Sequence, residues 1–155
     1  MKKIIFLILV TTFLVGCKSN PATKLDMKSE IALKGNWTVT KVFYPGSDYI
    51  KVTSFDIADS QCFVGSQWKF VSNNNTGEMK LNNSSCTSFD SKITWFINKE
   101  GNVVMKFLSE GIKAKHTVSG YVLKVANSTA NSFQLIDEIN VGNKPTEVVY
   151  QFSRM

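Results

Sequence analysis

Histidine, arginine and cysteine are scarce in this 155-residue chain, and each shortage closes off a class of chemistry. His116 is the only histidine. One imidazole, with no cysteine cluster to supply further ligands, does not make a metal site, so His116 reads as a surface or loop residue. The three cysteines include no C-x-x-C pair, the spacing of redox-active thiols. Serines are plentiful, yet no G-x-S-x-G elbow precedes a helix, and glycine-rich phosphate loops are absent. Among 12 carboxylates the only adjacent pair is Asp137-Glu138. Acid–base catalysis needs carboxylates opposed across a pocket, which adjacency does not supply. No segment sustains helical periodicity. These shortages point away from an enzyme and from any bound cofactor or metal.

What is present is alternation. Trp37, Val39 and Phe43 share one face at period two, with Thr38 and Thr40 on the other, as in a half-buried strand. Gln67 to Val71 turns Trp68 and Phe70 inward, and the Ser72–Gly77 turn leads to Met79 and Leu81. Ile93, Trp95 and Ile97 follow, then the hairpin signal Asn98–Gly101, then Val103, Met105 and Phe107. Tyr121, Leu123 and Val125 form a further inward set, as do Phe133 and Leu135 beyond the Asn127–Thr129 turn. Val148, Tyr150, Phe152 and Arg154 close the series in phase. Tyr49 to Ile57 alternates with a phase slip between Ile50/Val52 and Phe55/Ile57, which predicts a bulge or bend. The fold class is all-β: roughly eight antiparallel strands, spaced to close into an up-and-down barrel.

The first residues are an address. Lys2 and Lys3 precede an apolar run from Ile4 through Leu14, and Leu14-Val15-Gly16-Cys17 matches the lipobox of bacterial lipoproteins. Residues 1–16 are thus expected to be a cleaved signal, with Cys17 becoming an acylated first residue that attaches the protein to the lipid bilayer. Residues 17–34 read as a polar tether with a reach of roughly 20–25 Å, and 35–155 as the barrel domain. No acidic cluster follows Cys17, which favours the periplasmic side of an outer membrane. Loss of Lys2 and Lys3 leaves 16 of the 18 basic residues against 12 acidic ones, a net +4. The lysines are dispersed over the polar faces (Lys69, Lys80, Lys106, Lys124), which fits a solvated surface and not a nucleic-acid footprint.

The two ends of the domain carry a resemblance. Gly35-Asn36-Trp37 at the head of the first strand, a run of antiparallel strands and the lone arginine, Arg154, resemble the lipocalins, most closely the small lipocalin-like lipoproteins of bacteria. No T-D-Y motif of the central lipocalin signature is present, so the resemblance is to an outlying member. It implies that the Arg154 guanidinium stacks on the Trp37 indole and closes the barrel, which arginine does better than lysine. It also implies that Ala58–Ser66 is a lid over the barrel mouth, where composition alone leaves an ordinary surface loop equally open.

With Cys17 acylated, Cys62 and Cys86 are the pair left in an oxidising compartment, and a disulfide joining them is expected. Trp68, Phe70, Met79, Trp95, Met105, Phe107, Tyr121 and Tyr150 would line the interior. An eight-stranded barrel is wide enough either to be filled by such side chains or to hold one small ligand. Two functions follow. One is an anchored carrier of a hydrophobic small molecule of fatty-acid or lysolipid type. The other is a filled barrel that presents Asn73–Asn75 and Asn82–Ser88 to a protein partner, similar in architecture to small lipoproteins that inhibit host lysozymes.

Overall fold

A computed structural model describes residues 32–46, 50–108 and 120–155. The strands are β1 (Gly35–Phe43), β2 (Thr53–Ser54), β3 (Ala58–Asp59), β4 (Gln67–Val71), β5 (Thr76–Leu81), β6 (Phe89–Ile97), β7 (Val103–Leu108), β8 (Tyr121–Ala126), β9 (Ser132–Val141) and β10 (Lys144–Arg154). Eight of them close into an antiparallel up-and-down barrel in the order β1-β10-β9-β8-β7-β6-β5-β4, while β2 and β3 form a separate two-stranded hairpin. The inward faces are those expected from the alternation. Trp68, Phe70, Met79, Leu81, Ile93, Trp95, Val103, Met105, Leu123, Phe133, Leu135, Tyr150 and Phe152 are all buried in one cluster.

Closure takes place where the chain enters and leaves. Trp37 faces Trp68 on one side and Arg154 on the other. The guanidinium carbon of Arg154 lies 4.4 Å from the centre of the Trp37 ring, and its Nε donates to the Ala130 carbonyl at 2.9 Å. Gly35 makes room for this contact: its φ is +132°, and a Cβ there would sit 2.8 Å from Arg154 Nη1. Beneath the stack the indole N–H of Trp37 donates to the Leu33 carbonyl at 2.8 Å, and Leu33 is itself buried. The packed domain therefore starts at least two residues before the boundary that composition suggests.

Three local readings need correction. Phe43 is not in phase with Trp37 and Val39, because an irregularity between Val39 and Lys41 shifts the register and puts Val42 inside instead. The phase slip before Ile57 is a complete hairpin and not a bend. The strand β5 begins at Thr76, inside the Ser72–Gly77 stretch that composition assigns to a turn, and β6 begins at Phe89, well ahead of Ile93, since the ladder pairs Thr76 with Val71 and Phe89 with Leu81.

One end of the barrel, the base, holds Trp37, Arg154 and the β4–β5 turn. The other end, the mouth, holds the end of β1, the β2–β3 hairpin and the β5–β6 loop. A 3₁₀ turn, Ser60–Phe63, follows β3 at the mouth and buries Phe63. The disulfide forms as expected: Cys62 of this turn is bonded to Cys86 of the β5–β6 loop, with the Cα atoms 5.9 Å apart.

Candidate functional site

The lower interior is a packed core. Phe133 and Phe152 stack with centroids 4.6 Å apart, and Phe133 meets Trp37 edge-on at 4.7 Å. Phe70 stacks on Trp68 at 6.1 Å and meets Trp95 edge-on at 5.2 Å. All three indole N–H groups are satisfied: that of Trp68 donates to Ser66 Oγ at 2.8 Å and that of Trp95 to the Thr76 carbonyl at 2.9 Å. Met79 and Met105 are fully enclosed. Of the eight residues expected to line a pocket, Trp68, Phe70, Met79, Trp95, Met105 and Tyr150 are buried, whereas Phe107 and Tyr121 are only partly so. Rings and methionines hold this layer together with no polar atom left unpaired among the tryptophans.

The mouth is built differently. The β2–β3 hairpin turns through Phe55 and Asp56, both with φ of +55°, and the Ile57 N–H donates to the Ser54 carbonyl at 3.0 Å. Positive φ at both central residues is the type I′ pattern, which Asn-Gly adopts readily and a bulky aromatic does not. Left-handed backbone at non-glycine residues costs on the order of 1–3 kcal/mol each and persists only where the surroundings over-determine it. Here the surroundings are aromatic. The Phe55 ring is buried against Tyr121 (5.1 Å), Phe63 (5.2 Å), Phe107 (5.3 Å) and Tyr150 (5.3 Å, stacked), with Trp68 below at 6.3 Å. It plugs the mouth. The lid reading of this part of the chain thus gains a specific residue, which lies three positions before the segment the resemblance points to.

Three tyrosine hydroxyls hang the lid from the barrel wall. Tyr150 donates to Ser54 Oγ, Tyr121 donates to Asp56 Oδ2 at 3.0 Å, and Tyr44 shares a hydrogen bond with Ser60. Burial, followed by the Asp56 hydrogen bond and the charges of Asp56 and Asp137, pushes the Tyr121 hydroxyl up to about 12. Tyr150 is raised further, again chiefly by burial. Both stay neutral and able to donate across the ordinary pH range.

Asp137 and Glu138 are adjacent in β9 and so point to opposite faces. Glu138 is outside, 2.7 Å from Lys124, while Asp137 shares the inner face with Val148. Burial lifts the Asp137 carboxyl above its usual range. The two asparagine-rich loops lie at opposite ends of the barrel, because β4–β5 turns at the base and β5–β6 at the mouth. A cleft of about 290 Å³ crosses the outer wall between Lys69, Glu78, Lys92 and Leu108. Its lysines and glutamate face one another across neighbouring strands, as on a solvated sheet.

Cys17 and His116 fall outside the described residues, as do the signal and most of the tether. Among the described residues no group of three or more His, Cys, Asp or Glu side chains is placed to hold a metal ion. No protein-family model matches the chain, and no curated protein matches it.

Sequence reasoning passed over Phe55 and Asp137 as site residues. The phase slip before Ile57 marked the place of the first. The second was visible as a charged residue at an inward position of β9, two residues beyond Leu135.

Proposed function

We propose that this chain is a lipocalin-like lipoprotein, attached to the bacterial outer membrane through acylated Cys17 and facing the periplasm. In this reading its barrel takes up a small hydrophobic ligand at the mouth. The observation that carries the proposal is Phe55: a bulky ring held in disfavoured backbone among five aromatic side chains, where it acts as a stand-in for a guest. Since the layer from Trp68 to Trp37 is packed, the guest occupies the level of Phe55, Tyr121 and Tyr150 and goes no deeper. Fatty-acid or lysolipid chains suit that level through their first few methylenes, each contributing about 0.8 kcal/mol on burial. Opening breaks three hydroxyl hydrogen bonds and relieves the turn, so the lid is the part that moves.

The test uses the full chain with Cys17→Ser, so that no attached acyl group competes. Phe55→Ala empties the plug and should raise affinity for a fatty-acid and lysolipid panel by about tenfold, with a change in tryptophan emission from nearby Trp68. A folded, disulfide-intact Phe55→Ala protein that takes up no member of the panel would overturn the reading. The filled barrel with a protein partner would then take its place, supported by the packed base.

A further inference from the structure

The mouth has a polarity that the proposed carrier does not explain. Asp137 is on the inner face of β9, one step nearer the mouth than Leu135 and Tyr150, which pair with each other across β9 and β10. Among the described residues no hydrogen bond or ion pair reaches its carboxylate, although Glu138 beside it is bonded to Lys124. Asp56 is the second carboxylate at this end, held by Tyr121. Both carboxylates act on Tyr121, and Asp137 acts on Tyr150 as well. The inner face at the mouth thus carries two carboxylates, Asp137 and Asp56, beside the rings of Tyr121 and Tyr150.

Carboxylate together with ring faces is the chemistry that holds ammonium groups, because the face of an aromatic ring carries the negative end of its quadrupole. The face of Tyr150 is now covered by the stacked Phe55 ring and is bared when the lid lifts. A ligand carboxylate at the same level would meet Asp137 and Asp56 as like charges in a partly desolvated place. We infer that the mouth selects an amphiphile with a cationic ammonium head, which lies against Asp137, Tyr121 and Tyr150 while its first methylenes replace the Phe55 ring. This rests on the carrier reading above and narrows it, setting aside simple fatty acids.

The experiment measures calorimetric binding of four twelve-carbon probes, each below its micelle threshold, to the full Cys17→Ser chain and to its Phe55→Ala form. The probes are dodecyltrimethylammonium, dodecanol, dodecanoate and the choline lysophospholipid with a dodecanoyl chain. The ammonium probe should bind about tenfold more tightly than the alcohol, and dodecanoate more weakly than either. Asp137→Asn, a near-isosteric change, should bring the ratio of ammonium to alcohol affinity close to one. Equal binding of ammonium and carboxylate, or a ratio unchanged in folded Asp137→Asn, would sink the head-group inference while leaving the carrier standing. Uptake of no probe by folded Phe55→Ala would remove both. Binding of the lysophospholipid alongside the ammonium probe identifies a lipid head group as the source; binding of the ammonium probe alone identifies a free alkylammonium, and either supports the inference.

Discussion

Gly35, Trp37 and Arg154 show how much one position without a side chain can decide. A methyl group at Gly35 would press on the guanidinium, and the residue's φ lies where only glycine is at ease. Gly35→Ala should therefore cost about 2 kcal/mol or more, against about 1–2 kcal/mol for Arg154→Ala, which removes the ring contact and an exposed hydrogen bond to the Ala130 carbonyl. The double variant should cost less than the sum, because the clash is gone once the arginine is gone while the backbone strain remains. Urea denaturation of the four proteins checks this; strict additivity would mean that the two residues do not meet. Trp37 and Arg154 were legible in the sequence because their pattern is carried by residue identity. Phe43 was not placed correctly, since one extra residue in a strand reverses every later side chain without leaving a compositional mark. Phe55 was hidden for the opposite reason: its local sequence argues against the turn it makes, and tertiary packing overrides it.

The lid is the weakest element and the disulfide its firmest tie. Only two residues of each strand pair in the β2–β3 hairpin, and a two-stranded ribbon is marginal by itself. Its amides should exchange with deuterium by local opening, well before those of β6, whose neighbours β5 and β7 protect it on both sides. Reduction of Cys62–Cys86, which closes a 24-residue separation, should lower global stability by about 3 kcal/mol. It should also speed exchange in 52–63 more than in 93–97, as hydrogen-exchange mass spectrometry can show; equal acceleration would mean that the lid is no separate unit. Strands β4 to β8 were readable because apolar and polar residues alternate cleanly. The β9–β10 hairpin was less so, although Gly142 and Asn143, both at positive φ, carry an ordinary two-residue turn signal. Beyond Asp137 the strands continue with mixed residues, and pairing rather than burial defines them.

For the whole molecule, charge sets the pH limits. Tyr121 and Tyr150 are raised on folding, so the folded state holds their protons longer than the unfolded chain does. The contribution of Tyr121 is complete below pH 10, the unfolded value, and is lost as pH rises through about 12, while that of Tyr150 is lost later still. Thermal melts should fall steeply over that interval, and Tyr121→Phe should soften the fall; an unchanged slope would assign it elsewhere. Asp137 has the same sign at the acid end. Its raised carboxyl makes the charged form a burden on the fold, so Asp137→Asn should gain stability at neutral pH, and the gain should vanish below the usual carboxylate range. Partial solvent exposure keeps that gain small.

Closure of the wall by the last strand also governs when the protein can fold at all. β1 has only β4 and β10 as neighbours in the wall, and β10 ends with Arg154 and the Met155 N–H bonded to the Asn36 carbonyl at 3.1 Å. Until Phe152 and Arg154 of β10 leave the ribosome, Trp37 has no cap, and Phe133 lacks the ring it stacks on. Contacts between the first and last strands are the most distant a chain can make, and they form late and slowly. Synthesis therefore leaves the wall of the barrel open, and its aromatic interior uncovered, until β10 has been made.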